Sequence, residues 1–350
     1  MSVTTWGQSR QYNASAPRHH LACELPLPAP YLVHIDPTNL CNFKCPFCPT
    51  GHPELLESVG RPAGRMDFAL YEKIVSDMLV FPVKPKVLHL YKDGEPLMHP
   101  DFGRMALLAR MQDAADQINL TTNAALMTAK RTGEILDAGI DIVRVSVEHI
   151  HDAGYREKTM TFARYDKIIG NVAGLFEERN RRKAKTRIWV KILRLGLTDE
   201  DIEKFGRDFK NICDECLVMT PMGWSRTDVY DFTLGSNPTT GDNGETPLKQ
   251  DRIVCPYPFY SLAVNFDGSV SVCCADWSHG TVIGNVGDTA LIDIWNGPAM
   301  RKLRALHLAN RRSENSACAN CQTMQGLPED SDLDCDRQRL LKLFSQETAL

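Results

Sequence analysis

Short runs of branched apolar residues recur along the chain, each followed by a longer stretch whose apolar positions fall three and four apart. The runs Leu32–Asp36, Val87–Tyr91, Gln117–Thr121, Ile142–Val147, Arg187–Leu193 and Glu215–Met219 read as strands. Between them, Asp67–Leu79, Asp101–Ala114, Thr128–Ala138, Phe162–Arg182 and Asp199–Lys210 read as helices. In the first of these helices Tyr71, Ile74, Val75, Met78 and Leu79 share one face, and Asp67 and Thr198 are placed to cap helix N-termini. Strands alternating with helices imply βα units on a mostly parallel sheet. Six such units fit an α/β fold, an open partial (β/α)6 TIM-like barrel, whose sites lie at the strand C-terminal ends.

The pattern divides the chain. Residues 1–30 read as an extended, Pro-rich leader, 31–230 as the barrel, and 231–250, rich in Gly, Asn, Thr and Pro, as a linker or surface loop. Residues 251–325 read as a small α+β domain. In it Asn265-Phe266-Asp267-Gly268 turns a hairpin between Phe259–Val264 and Val270–Cys273, with helices at Leu291–Trp295 and Ala299–Leu308. Residues 326–350 read as a polar tail, and no internal repeat is visible.

Composition narrows the class. The chain has 350 residues, 43% hydrophobic and 24% charged, with net charge −4, as expected of an ordinary globular protein of one large and one small domain. The near-neutral balance gives no support for nucleic-acid binding, and no apolar run of about 18 residues suggests a membrane span. Met1–His20 is polar and lacks the apolar core of a secretory signal, so a cytoplasmic protein is expected. Twelve cysteines cluster as 41/45/48, 213/216, 255, 273/274 and 318/321, with 23 and 335 outlying. Such clustering suits metal ligation better than disulfides.

Cys41, Cys45 and Cys48 follow the first strand directly. Three soft thiolates so close together can hold three corners of an iron–sulfur cluster and leave one iron open. The alternatives are buried free thiols or a zinc knuckle, for which His52 is the only local fourth ligand.

This C-x3-C-x2-C motif resembles that of the radical S-adenosylmethionine (radical SAM) enzymes. The resemblance implies a 4Fe–4S cluster on the three thiolates, with SAM chelating the open iron and Phe47 packing near adenine. Asp93-Gly94-Glu95-Pro96 is similar to the family's Gly-Gly-Glu-Pro segment, which meets the SAM amino group, with Asp93 replacing the first glycine. Asn123 resembles a ribose-facing position; Ser146, Glu148 and Arg156 look like ribose and carboxylate contacts. Lys191 and Arg194 are further cofactor-binding candidates, or structural cations.

In the second half, Cys255, the Gly268-x4-Cys273 step and Cys318-Ala319-Asn320-Cys321 resemble the superfamily's SPASM/twitch domain. No cysteine follows Cys321 until Cys335, which fits the one-cluster twitch form: an auxiliary 4Fe–4S cluster on Cys255, Cys273, Cys318 and Cys321. A zinc ribbon is the alternative. Cys274 reads as a bystander, because adjacent strand residues point opposite ways. Cys213 and Cys216, expected near the barrel mouth, read as structural or as redox or hydrogen-donor thiols, and are the candidate catalytic pair. The basic run Arg179–Lys185 reads as a solvated helix end.

The chemistry this resemblance implies is reductive cleavage of SAM to a 5′-deoxyadenosyl radical that abstracts hydrogen from an unactivated carbon. An electron donor such as flavodoxin or ferredoxin is expected. The auxiliary cluster points first to dehydrogenation and second to epimerisation. Too few residues precede Tyr31 for a leader-recognition domain, which favours a small polar substrate (sugar, aminocyclitol or glycoside) over a peptide modified by a RiPP-type maturase. Gly51–Met66 and Asp228–Thr246 are placed to wall the barrel mouth. The rival from another class is a non-catalytic zinc or iron–sulfur protein.

Overall fold

The computed structural model describes residues 4–5 and 20–346. Its strands are β1 (Thr4–Thr5), β2 (Leu32–Ile35), β3 (Val87–His89), β4 (Gln117–Thr122), β5 (Ile142–Val147), β6 (Arg187–Leu193), β7 (Glu215–Met219), β8 (Ser261–Val264), β9 (Ser269–Ser271) and β10 (Gly284–Asn285). They form one sheet in the order β1-β7-β6-β5-β4-β3-β2-β8-β9-β10. Strands β2 to β7 run parallel and in sequence, each joined to the next through helix, which is an open (β/α)6 barrel.

The two halves of the chain share this sheet. Strand β8 lies parallel to β2 in register from Leu32↔Ser261 to Ile35↔Val264, and β9 turns back antiparallel to β8. A barrel left open at β2 would expose a row of unpaired N–H and C=O groups. The C-terminal hairpin covers that edge, so main-chain hydrogen bonds fix its position relative to the barrel.

Side chains alternate across the sheet. Val33, Leu88, Ile118, Val145 and Val190 join one core cluster with the helix residues Tyr71, Ile74, Phe205 and Phe209. Each such buried side chain contributes about 1.5–3 kcal/mol. The other face, turned to the barrel interior, carries His34, His89, Asn119, Arg144 and Lys191 among apolar neighbours. The helices form where the pattern places them. Asp67 caps Phe68–Met78 by accepting from Ala69 N at 2.8 Å, and Thr198 and Asp201 form a capping box on Asp199–Phe209. The helix expected from Phe162 begins at Tyr165, and a separate helix, Asp152–Thr159, precedes it.

Three stretches are more tightly packed than the pattern suggests. Residues 20–30 are not a loose leader: Leu21, Leu25, Leu27 and Ala29 are buried, and Trp295 Nε1 donates to Leu27 O at 3.2 Å. Residues 1–3 and 6–19 lie outside the described residues. The 231–250 segment folds back on the barrel, with Thr220 N donating to Asp242 O at 3.1 Å and Phe232 buried. The end of the chain forms the helix Arg337–Gln346, which buries Leu340 and Phe344. Among the described residues no helix is long and apolar enough to cross a membrane.

Candidate active site

The cysteine loop leaves β2 at the C-terminal end of the sheet and is held from two sides. Thr38 Oγ1 donates to Gly64 O at 2.6 Å, and Asn39 Nδ2 donates to Pro62 O at 2.8 Å. From the β3 side, Glu95 N donates to Leu40 O at 2.9 Å. A Cβ on Gly94 would sit 2.2 Å from Thr38 O, so this close approach requires glycine.

Burial pushes the Cys41 thiol up to about 12 and the Cys48 thiol up to about 11, and places Cys45 well above the ordinary value. Repulsion from neighbouring thiolates adds to the shift at Cys41 and Cys45, and the Glu148 carboxylate adds to it at all three, so the thiols and Glu148 lie within electrostatic reach of one another. Three clustered thiols that resist ionising alone need a cation to become thiolates, as iron ligation supplies. His52 is already engaged: its ring nitrogens contact Pro46 O at 2.8 Å and Glu54 Oε1 at 3.1 Å. The loop therefore has no free histidine to complete a zinc knuckle.

The neighbouring strand exits are stitched to this loop. The Glu95 carboxylate accepts from Leu97 N (3.0 Å), Thr122 Oγ1 (2.7 Å) and Asn123 N (2.8 Å), while burial raises its pKa. Asn123 Nδ2 donates to Asn42 Oδ1 at 2.9 Å, beside Cys41. Pro96 is buried in the turn after Glu95, and Phe47 packs half-buried against the core. On the interior face Ser146 pairs in register with Lys191. Burial pushes Glu148 up to about 7, against the pull of Lys191. Burial and Arg144 depress the Lys191 ammonium, while Glu148 and Asp242 favour its charge.

Other candidates stand elsewhere. Arg194 ion-pairs with Asp199 on the surface and is 51% exposed. Arg156 is exposed, with its guanidinium 4.8 Å from the Phe162 ring centroid. Cys213 and Cys216, with sulfurs 3.4 Å apart, are buried in the cluster that holds Phe205 and Phe209. They mark the start of β7, and a strand start lies at the end of a parallel sheet opposite its exits. The expectation that they sit near the barrel mouth is corrected on that ground.

The strand-end motif hides a charged knot. Asp93 is 7% exposed, ion-paired with Arg61 and 2.5 Å from Lys92 Nζ. Arg61 Nη1 also donates to Trp277 O at 3.0 Å, tying the 51–66 segment to the C-terminal domain. Burial would raise Asp93, but Arg61 and Lys92 outweigh it and hold the carboxyl below the usual range. Burial and the Asp93 charge push the adjacent Asp36 the other way, up to about 7. Sequence reading missed this knot and the interior His34, His89 and Arg144. Their signal was the period of two, polar positions recurring in otherwise apolar strands.

In the C-terminal domain Cys255, Cys273, Cys318 and Cys321 line one cavity. Burial followed by Cys321 raises the Cys255 thiol to about 12; a hydrogen bond with Cys274 and burial raise Cys273, and Cys255 and Cys321 both act on Cys318 and Cys273. Four mutually repelling thiols around one cavity fit a cluster or metal for the reason given above. Cys274 is not among the residues lining it, and Cys335 is exposed.

Comparison with known proteins finds a family for each half of the chain. The model of the Radical SAM superfamily matches residues 35–209, and SPASM, an iron–sulfur cluster-binding domain, matches residues 255–322. The chain is 23% identical to a tungsten-containing aldehyde ferredoxin oxidoreductase cofactor-modifying protein of Pyrococcus furiosus, over 87% of this chain and 91% of that one. It is 20% identical to the S-adenosyl-L-methionine-dependent 2-deoxy-scyllo-inosamine dehydrogenase of Niallia circulans, over 84% and 93%. BtrN, solved with AdoMet and 2-DOIA, shares the fold at TM-score 0.52 and 18% identity, covering 86% of this chain and 97% of that one. Streptococcus suis SuiB bound to S-adenosylmethionine does so at 0.60 and 15%, covering 85% and 72%. The chain belongs to the radical SAM superfamily, enzymes built on a 4Fe–4S cluster and SAM, and carries a C-terminal SPASM iron–sulfur domain.

Proposed function

We propose that this enzyme is a dehydrogenase of a small polar substrate, a sugar, aminocyclitol or glycoside. The polar interior face of the barrel carries the reading. Among the described residues, His34 Nε2, His89 Nδ1, Asn119 Oδ1 and Arg144 Nε are buried there without a hydrogen-bond partner. An unsatisfied buried group costs about 1–3 kcal/mol, and a hydroxylated ligand offers the donors and acceptors these atoms lack. The likeness to a 2-deoxy-scyllo-inosamine dehydrogenase along most of both chains supports the same substrate class.

In this reading Cys41, Cys45 and Cys48 hold the SAM-binding cluster, and Cys255, Cys273, Cys318 and Cys321 hold one auxiliary 4Fe–4S cluster. Phe47, Gly94, Glu95, Pro96, Asn123, Ser146, Glu148 and Lys191 surround the SAM position. When bound, these groups supply a 5′-deoxyadenosyl radical to take a hydrogen atom and an acceptor for the second electron. Asp242, within electrostatic reach of Lys191, receives the hydroxyl proton, which leaves a carbonyl. A flavodoxin or ferredoxin provides the first electron.

Epimerisation is the second reading. Cys213 and Cys216 lie too far from the interior to return a hydrogen atom, whereas Cys274 lies within electrostatic reach of His34. The test is anaerobic turnover of SAM with carbon-deuterated aminocyclitols, sugars and peptides. Deuterium should enter 5′-deoxyadenosine from a sugar or cyclitol, with a product two hydrogens lighter. A product of unchanged mass that takes up solvent deuterium would instead mean epimerisation, and turnover with peptides alone would overturn the substrate class.

A further inference from the structure

The wall of the C-terminal cavity holds more than cysteines. His307, in the last turn of the helix Pro298–Leu308, lines it, and so does Ser225 from the loop after β7. His307 is 0% exposed and Ser225 2%. Both His307 ring nitrogens and the Ser225 hydroxyl are buried with no hydrogen-bond partner among the described residues. Asp276 and Thr281, on the same wall, are satisfied. Asp276 accepts from Gly280 N at 3.0 Å and from Thr281 N at 2.7 Å, and Thr281 Oγ1 donates back to Asp276 at 2.6 Å.

An imidazole carries at least one N–H in any protonation state, and a hydroxyl carries one O–H. Two such donors facing an apolar cavity are a standing penalty unless its occupant accepts from them. The four thiolates and the inorganic sulfides of an iron–sulfur cluster are acceptors of that kind. Hydrogen bonds to these sulfurs stabilise the reduced, more negative form and raise the potential.

We propose that His307 and Ser225 donate hydrogen bonds to the sulfurs of the auxiliary cluster and poise it as an electron acceptor. They act through the cluster, so they are positioning residues and not ligands. The inference rests on the assignment of Cys255, Cys273, Cys318 and Cys321 as that cluster's ligands.

The test uses the full chain with Cys41, Cys45 and Cys48 changed to Ala, so that only the auxiliary cluster remains. In this background His307→Leu, His307→Gln and Ser225→Ala are compared by iron content and by potentiometric titration followed by electron paramagnetic resonance. Iron should stay constant across the set. The potential should fall in His307→Leu by about 59 mV, equivalent to a tenfold change in the oxidised-to-reduced ratio for one electron. It should fall less in Ser225→Ala and recover in His307→Gln, which keeps an N–H. The apoprotein of His307→Leu should be more stable than its parent, because an unpaired polar group has been removed. An unchanged potential in His307→Leu overturns the inference while leaving the ligand assignment intact. Loss of iron in His307→Leu makes His307 a ligand and also overturns it. A triple-Ala background without iron overturns the ligand assignment and the inference together.

Discussion

Changing Asp93 to Asn keeps the size of the side chain and removes its charge from between two buried cations. In the folded protein Arg61 is 1% exposed, Asp93 2% and Lys92 0%, counted over side chains, so water cannot take over the lost role. At an effective dielectric of about 20, a unit charge pair at 4 Å is worth about 4 kcal/mol, and Asp93 makes two. The desolvation cost of Asp93, absent for Asn, offsets part of this. Breaking a buried pair by removing one partner typically costs about 3–5 kcal/mol, and that is the expected loss.

Asp36 sharpens the prediction. Its Oδ1 accepts from Asp93 N at 3.4 Å, and the Asp93 charge is one reason its own pKa stands at about 7. Without that charge Asp36 ionises more readily beside Arg61 and Lys92 and returns part of the loss. The double variant Asp36→Asn/Asp93→Asn should therefore lose more than the sum of the two single changes. Anaerobic urea denaturation of the apoprotein measures both quantities, with the slope required to stay constant. A loss below about 1 kcal/mol for Asp93→Asn, or strict additivity in the double variant, would refute the electrostatic argument.

Two further expectations concern Asp36 and the residues outside the site. Asp36 has a folded pKa near 7 against an unfolded value near 3.9, so the stability it contributes is present below about pH 4 and is lost as pH rises towards 7. The loss is at most about 4 kcal/mol at 1.36 kcal/mol per unit. Denaturation midpoints of the apoprotein from pH 5 to 8 should show this slope, and Asp36→Asn should flatten it; an unchanged slope in the variant counts against it. Arg156→Ala, Arg194→Ala and the pair Cys213→Ala/Cys216→Ala should each leave SAM cleavage within about twofold of the parent, because surface pairs contribute about 0–1 kcal/mol and the two thiols lie at the far end of the sheet. A tenfold loss in any of them would return that residue to the site.

The readable parts of this protein were those written locally. The spacing of Cys41, Cys45 and Cys48 is set within eight residues, and their place after β2 follows from one strand and one turn. The helices with caps at Asp67 and Thr198 declare themselves in the same way. Arg194 misled because a basic residue at a strand exit looks the same whether it turns inwards or meets Asp199 outside. Asp93 looked like a mild departure in a glycine-rich turn. Its partner Arg61 lies 32 positions earlier, a separation that no local pattern reveals.

The amino-acid sequence by itself determined the chemistry of the two centres and the order of the βα units, because ligand spacing and hydrophobic period are properties of neighbouring residues. Only the tertiary structure decided that β8 pairs with β2, which makes the C-terminal domain a continuation of the barrel sheet. It also decided that residues 20–30 and 337–346 belong to the core, and that His307 faces the four cysteines. The physical reason is common to these cases. Burial and pairing between distant segments depend on which surfaces the folded chain brings together, and an unpaired imidazole acquires meaning only once its neighbours are known.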